Sequence, residues 1–206
     1  FSPLNQEKAL AILKSGENIF LTGSAGTGKT YVLNQCIKYL KERRVPVSIT
    51  ASTGIAATHL EGTTIHAWSG IGIKSALSAR NLQELRKKKY LKKNIDKSKV
   101  LIIDEISMLH KKQLNMVNEV LKYFKETEEA FGGIQVVLCG DFFQLPPVGD
   151  YNETNRDKFS FMSQSWLDAN LTICYLTDQY RQTDNELNQI LNEIRTGNIS
   201  QNSKDI

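Results

Sequence analysis

The chain has 206 residues, 40% apolar and 23% charged, with 26 Lys+Arg against 22 Asp+Glu for a formal net charge of +4. A folded chain of this size buries roughly 70% of the surface its unfolded form exposes, enough for a core without metals or disulfides, so a disordered or collagen-like chain is excluded. No apolar run approaches the ~20 residues of a membrane-spanning helix, and FSPLNQEKAL at the amino terminus lacks the basic-then-apolar pattern of a leader, so no membrane partner is expected.

Five short apolar runs read as strands: Ile19-Phe20-Leu21, Val47-Ser48-Ile49, Val100-Leu101-Ile102-Ile103, Val136-Val137-Leu138 and Leu171-Thr172-Ile173-Cys174-Tyr175. Most show little alternation, as strands buried on both faces do. Helical spacing falls between or after them, at Leu33, Ile37 and Leu40, at Leu114, Val117, Leu121 and Phe124, and at Leu187, Ile190, Leu191 and Ile194. Strands alternating with helices predict an α/β domain, a mainly parallel sheet with helices on both faces, whose ligands sit at the carboxyl ends of the strands. Cys36, Cys139 and Cys174 are an odd, widely spaced set in apolar surroundings and predict buried, reduced thiols in an intracellular protein.

The charge is uneven. Lys74 to Lys99 holds ten basic residues and two acidic ones, a local +8 that leaves the rest of the chain at −4. Leu82, Leu85 and Leu91 give this stretch a thin apolar stripe, which favours a solvated helix face over a phosphate-binding footprint.

Directly after the first strand stands Gly23-Ser24-Ala25-Gly26-Thr27-Gly28-Lys29-Thr30, followed by a helix. Glycines let backbone N–H groups wrap an anion, Lys29 reaches the terminal phosphates of a nucleoside triphosphate, and the Thr30 hydroxyl suits Mg²⁺. A phosphate loop predicts acids at the end of another strand. Asp104 and Glu105 supply them after Leu101-Ile102-Ile103: Asp104 for the metal's water shell and Glu105 to polarise the attacking water. Neighbours on a strand point to opposite faces, so the two carboxylates share a site only if the strand has already ended. Gly140-Asp141-Phe142-Phe143-Gln144-Leu145-Pro146-Pro147 follows the fourth strand and offers Gln144 as a γ-phosphate sensor; Arg181, in Tyr180-Arg181-Gln182, offers a cation for charge developing on a transferring phosphoryl group. Three histidines, His59, His66 and His110, without paired cysteines make no zinc pattern.

These blocks, with Thr50-Ala51-Ser52-Thr53-Gly54-Ile55-Ala56-Ala57 and Gly62-Thr63-Thr64-Ile65-His66-Ala67-Trp68-Ser69-Gly70, occur in an order that resembles the motor of the petite integration frequency (PIF) helicases. That family belongs to the superfamily-one class that moves 5′ to 3′ on single-stranded DNA. The resemblance runs from about Leu4 to Gly197 and implies a RecA-like P-loop NTPase fold, ATP and Mg²⁺ as cofactors, and single-stranded DNA as partner, with forked or G-quadruplex DNA as further candidates. It implies that Leu4-Asn5-Gln6 is an adenine-reading segment in which Gln6 bonds the base. Lys29, Asp104, Glu105, Gln144 and Arg181 are then the catalytic set, Gly23 to Thr30 with Gln6 hold nucleotide, Thr30 and Asp104 serve the metal, and Thr53, Gly54, Thr64 and His66 lie on the DNA track. Trp68 among apolar neighbours reads as core, with a base-stacking face as the alternative, and the aromatics of 157–166 read as packing. A P-loop NTPase of another kind, such as a loader or switch, is the competing reading.

Family motors close two RecA-like domains on one nucleotide. The expectation is therefore that residues 1–197 form the first motor half, that 198–206 are a truncated tail, that the second domain lies outside this chain, and that the piece is monomeric and unwinds nothing alone. The compartment follows the host: cytoplasm and nucleoid in a bacterium, nucleus or mitochondrion in a eukaryote.

Overall fold

The computed structural model describes residues 6–23, 28–141 and 158–176. The apolar runs become strands β1 (Ile19–Gly23), β2 (Val47–Ala51), β4 (Val100–Asp104), β5 (Gln135–Cys139) and β6 (Thr172–Leu176). A sixth strand, β3 (Thr63–Thr64), is two polar residues long and carries no apolar run by which a sequence would betray it. All pairings are parallel, in the order β3-β2-β4-β5-β1-β6.

The missing alternation has a simple cause. Phe20, Leu101, Ile103, Val136, Leu138 and Ile173 face one side of the sheet, under α4 (Ile65–Ser69), α5 (Ala79–Arg86), α6 (Lys89–Lys97), α7 (Lys111–Lys125) and α8 (Gln164–Asp168). Ile19, Leu21, Val100, Ile102, Val137 and Cys139 face the other, under α1 (Gln6–Lys14) and α2 (Lys29–Glu42), with Leu60 just after the short α3 (Gly54–His59). Successive residues are therefore apolar because both faces are covered. The predicted stripes of α2 and α7 are buried. The helical pattern at Leu187 to Ile194 lies outside the described residues.

At the amino edge of the sheet Asn18 ties three elements together. Its Nδ2 donates to the Ala169 carbonyl (2.9 Å), its Oδ1 accepts from Val136 N (2.9 Å), and its carbonyl accepts from Thr172 N (2.8 Å). This lashing fixes the register of β1, β5 and β6 and so delivers their carboxyl ends to one level. Cys36, Cys139 and Cys174 are buried free thiols, as expected. Trp68 is 6% exposed and belongs to the core. Phe159 and Phe161 stack at 5.3 Å, while Trp166 meets Phe20 of β1 edge-on at 4.9 Å, so the 157–166 aromatics found here are packing.

The lysine-rich stretch forms two helices rather than one. Ser78 and Asn81 make a capping box at the start of α5, which ends at Arg86, and Lys88 in an extended conformation starts α6. Leu85, Leu91 and Ile95 point inward, and Lys87, Lys88, Lys89, Lys92, Lys93 and Lys97 are exposed.

Candidate functional site

The carboxyl ends of β1, β4 and β5 bring the phosphate-loop end and the paired acids together. Gly28 caps α2 in a left-handed conformation (φ 87°, ψ 23°) that glycine adopts without strain. Its missing side chain also matters, because a Cβ there would lie 1.8 Å from Gln6 Nε2. Gln6, at the start of α1, therefore packs its amide directly on the last glycine of the loop. Lys29, in the first turn of α2, donates from Nζ to the Gly23 carbonyl at the end of β1. Thr30 is exposed one residue later. Ser24, Ala25, Gly26 and Thr27, like Leu4 and Asn5, lie outside the described residues.

β4 stops at Asp104, and Glu105 adopts a left-handed backbone (φ 52°, ψ 45°). The strand has ended, so the two carboxylates are free to share one site. Burial pushes the Asp104 carboxyl above its ordinary range; the Glu105 N–H, donated to Asp104 Oδ1 at 2.8 Å, the Cys139 thiol and the charge of Lys29 pull it back. Glu105 is raised by burial and then by the charge of Asp104, with Lys29 opposing and Asp141 adding to the rise. The register Ile103↔Leu138 sets Cys139 beside Asp104, and burial keeps that thiol protonated, so it donates to the carboxylate. Two acids thus share one lysine, with Asp141 close to the second of them.

Such a cluster of hard oxygens suits a hard cation. Thr30, Asp104 and Glu105 are donors of the kind Mg²⁺ takes. Among the described residues no group of three or more His, Cys, Asp or Glu could hold a metal by itself. A magnesium ion would draw its other ligands from water and phosphate, as its chemistry favours. Gly140 lets the turn after Glu105 come close: a Cβ on it would sit 3.0 Å from Ile106 Cγ2 and 3.1 Å from Ile106 N. Gln144 and Arg181 lie outside the described residues.

One strand away stand the residues expected on DNA. The register Thr50↔Thr63 and Ala51↔Thr64 places the ends of β2 and β3 side by side, about 4.8 Å apart. Thr53 caps α3, its Oγ1 accepting from Ala56 N at 3.2 Å, and Thr64 caps α4 in the same way through Ala67 N at 3.2 Å. A capping hydroxyl spends a lone pair and keeps its proton, which remains available to a phosphate oxygen. Gly54 is exposed, with nothing within 4 Å of where a Cβ would stand. His66 is half-buried in α4 and bonded to the Gln113 side chain; burial lowers its pKa and so disfavours a charge there. His110 has a different job, capping α7 with Nδ1 accepting from Lys112 N at 3.0 Å.

Residue type and spacing do not single out Ser52, Cys139 or Gln113. Cys139 is legible in the sequence only as a buried thiol, because its neighbour Asp104 comes from strand register. Ser52 stands inside the Thr50 to Ala57 block, and a small hydroxyl between a buried strand end and a helix cap is the available signal.

Comparison with known proteins gives a consistent set of matches. The model of the PIF1-like helicase family matches residues 5–205. The ATP-dependent DNA helicase Pif1 of Psychrobacter sp. (strain PRwf-1) is 61% identical over 202 residues, covering 95% of this chain and 31% of the relative. The ATP-dependent DNA helicase RRM3 of Saccharomyces cerevisiae is 42% identical over 200 residues, covering 96% of this chain and 28% of that protein. Among solved structures, the Pif1 helicase from Candida albicans aligns with a TM-score of 0.77 at 36% identity over all of this chain and 47% of its own. The Bacteroides Pif1 helicase in complex with ADP-AlF3 and ssDNA aligns with a TM-score of 0.74 at 32% identity, over 97% of this chain and 47% of that one. The chain thus spans about a third of these curated relatives and about half of the solved chains.

Proposed function

This chain belongs to the PIF1-like helicase family, and from that premise we propose that it is the ATP-binding motor domain of a DNA helicase that couples ATP hydrolysis to 5′-to-3′ movement on single-stranded DNA and to duplex unwinding. The observation that carries the reading is the facing of Lys29 and the Asp104–Glu105 pair across strand ends, with the Thr53 cap one strand from Asp104 and the Thr64 cap one strand further. Fuel site and track then share the carboxyl edge of one sheet.

The roles follow from chemistry. Lys29 has three N–H donors, one of them used by the Gly23 carbonyl, which leaves others for β- and γ-phosphate oxygens. Gln6, seated on Gly28, is within reach of a base whose phosphates lie on the loop. Residues 23–30 wrap the phosphates with backbone N–H groups. Thr30, with Asp104 through water, would hold Mg²⁺, which neutralises charge on the phosphates. Glu105, its affinity for a proton raised by burial and by the charge of Asp104, orients the attacking water as general base. Gln144 and Arg181 are assigned on the family pattern alone, to γ-phosphate sensing and to charge on the transferring group. Thr53, Gly54, Thr64 and His66 grip phosphate oxygens without reading bases, which suits a motor that must step over any sequence.

Residues 1–197 constitute one motor half in this reading. Unwinding requires the second domain, and the parent works inside the cell on single-stranded DNA, with forked or G-quadruplex DNA as structured substrates.

The test is ATPase turnover of the full-length parent with and without single-stranded DNA. Turnover is expected to rise with DNA and to fall by about 10²–10³-fold in Lys29→Ala, the loss typical of removing one electrostatic anchor of a transition state. Turnover indifferent to DNA would point to a loader or switch, and normal turnover in Lys29→Ala would remove the enzyme reading altogether.

A further inference from the structure

Between the track and the fuel site stands one residue with bonds to the second and a peptide link to the first. Ser52 follows the last residue of β2 and precedes the cap Thr53. Its N–H donates to the Asp104 carbonyl at 3.1 Å, and its hydroxyl donates to the Glu105 carbonyl at 2.6 Å. It is 9% exposed, so water competes poorly for either bond. We infer that Ser52 is a positioning residue that transmits DNA occupancy at Thr53 to the backbone of Glu105, and so sets how far single-stranded DNA accelerates ATP hydrolysis. This rests on the proposed function.

Glu105 is where a small push has leverage. A non-glycine residue at φ 52° holds a strained conformation that persists only when its surroundings over-determine it. Three bonds do so here. The Glu105 N–H is held by Asp104 Oδ1 at 2.8 Å, and the Glu105 carbonyl accepts from Met108 N at 3.0 Å and from Ser52 Oγ. Two of these bonds are local to the 104–108 turn. The third is the only one of the three that comes from another strand, and that strand ends in the DNA-side cap. A phosphate drawn onto the Thr53 hydroxyl and the Gly54 N–H pulls the first turn of α3, whose Ala56 and Ala57 N–H groups are bonded to Thr53. Thr53 cannot shift without Ser52, and Ser52 cannot shift without altering the support of a strained residue whose carboxylate must aim at one water.

His66 offers a useful contrast. Its bond runs to Gln113, whose Oε1 also accepts from His110 N at 3.0 Å, so that connection ends on the cap of α7 rather than on Glu105. The Ser52 link is the direct one.

The experiment uses the full-length parent. In Ser52→Ala, the Kd for single-stranded DNA is expected to stay within about twofold of the parent, while the ratio of DNA-stimulated to basal kcat falls about tenfold, within the range of ordinary coupling between sites. The change in DNA affinity on adding a non-hydrolysable ATP analogue, an equilibrium quantity, should shrink in step. Ser52→Thr, which keeps the hydroxyl, should restore both. If Ser52→Ala does not fold, Ser52→Cys tests the same bond with a far weaker donor. Equal loss of basal and stimulated rates, or stimulation as strong as in the parent, overturns the inference. A parent that no DNA stimulates would instead refute the proposed function, so the two failures are distinct.

Discussion

Two parts of this molecule carry most of its polar chemistry, and they are built on opposite plans. At the carboxyl edge of the sheet, Ser52, Asp104, Glu105 and Cys139 are few and at least half-buried, and each is held by a named partner. On α5 and α6 the charges are many and exposed, and those that pair use a neighbour one turn away, as in Arg80–Glu84 and Lys92–Asp96, or reach across to α7, as in Arg86–Glu126. Exposed pairs of this kind add little to stability, because water solvates the separated charges nearly as well. The lesson is that net charge and local geometry are separate properties, and that the +8 stretch is the louder signal while the nearly silent strand ends hold the candidate site.

The sharpest way to break this contrast is to show that α6 works through its lysines rather than its apolar stripe. Leu91 is 1% exposed, and a Cβ on Gly70 would touch its Cδ2 at 2.8 Å, so it is closely packed against the end of α4. Leu91→Ala is expected to cost about 3 kcal/mol in chemical denaturation, the sum of lost burial and a residual cavity. ATP turnover per folded parent molecule should be unchanged. A loss of turnover without loss of stability would place function in this helix.

The strand ends predict the reverse sign. Asp104 is a carboxyl whose folded-state pKa lies above its ordinary value of 3.8, with burial as the leading cause. Such a group contributes stability below its unfolded pKa and loses it as pH rises through the folded value, so at neutral pH its charge is a net cost. Asp104→Asn keeps an oxygen for the Glu105 N–H and removes that charge. In EDTA its melting temperature is therefore expected to exceed that of the unsubstituted chain by a few degrees at pH 7–8, with the advantage shrinking as pH falls toward 4. ATP turnover in the parent should collapse at the same time. A residue that improves stability when neutralised and destroys activity is there for function, and a destabilised Asp104→Asn would show that its ionised form supports the fold.

How much of this the sequence disclosed follows the same division. The five longer strands were legible because burial on both faces forces continuous apolar runs, as in Val100 to Ile103. The phosphate loop and the Asp104–Glu105 pair were legible because residue type and spacing carry the chemistry. β3 was not, since two threonines hold their place through pairing with Thr50 and Ala51 rather than through their own hydrophobicity. The left-handed turn at Glu105 was hidden too, because sequence offers glycine as the sign of positive φ and here the bonds from Ser52, Asp104 and Met108 impose it on a glutamate. The break between α5 and α6 was hidden because lysines fit a helix interior and a helix end equally well, and only the burial of both Leu85 and Leu91 against Gly70 shows where the chain must turn.

The smallest expected effect sharpens the comparison most. Lys87, Lys88, Lys89, Lys92 and Lys93 are exposed, and Lys99 just beyond them precedes Val100, which pairs with Val47 at the amino end of β2. The Thr53 cap stands two residues past the other end of that strand, whose four steps from Val47 to Ala51 alone span about 13 Å at strand rise. That is more than a Debye length at physiological salt, so Lys99 contributes little attraction to a strand proposed to be held at Thr53. Changing the five lysines to glutamine in the parent should leave single-stranded DNA affinity within about twofold and the slope of log Kd against log salt unaltered, because every lysine that neutralises a phosphate steepens that slope by about 0.7. His66→Ala should also leave the slope alone, since burial disfavours the charged imidazole, while weakening binding a few-fold through the lost ring contact. A flatter slope in the lysine variant, and not merely weaker binding, would move the basic face into the DNA-binding surface and end the division between the two regions.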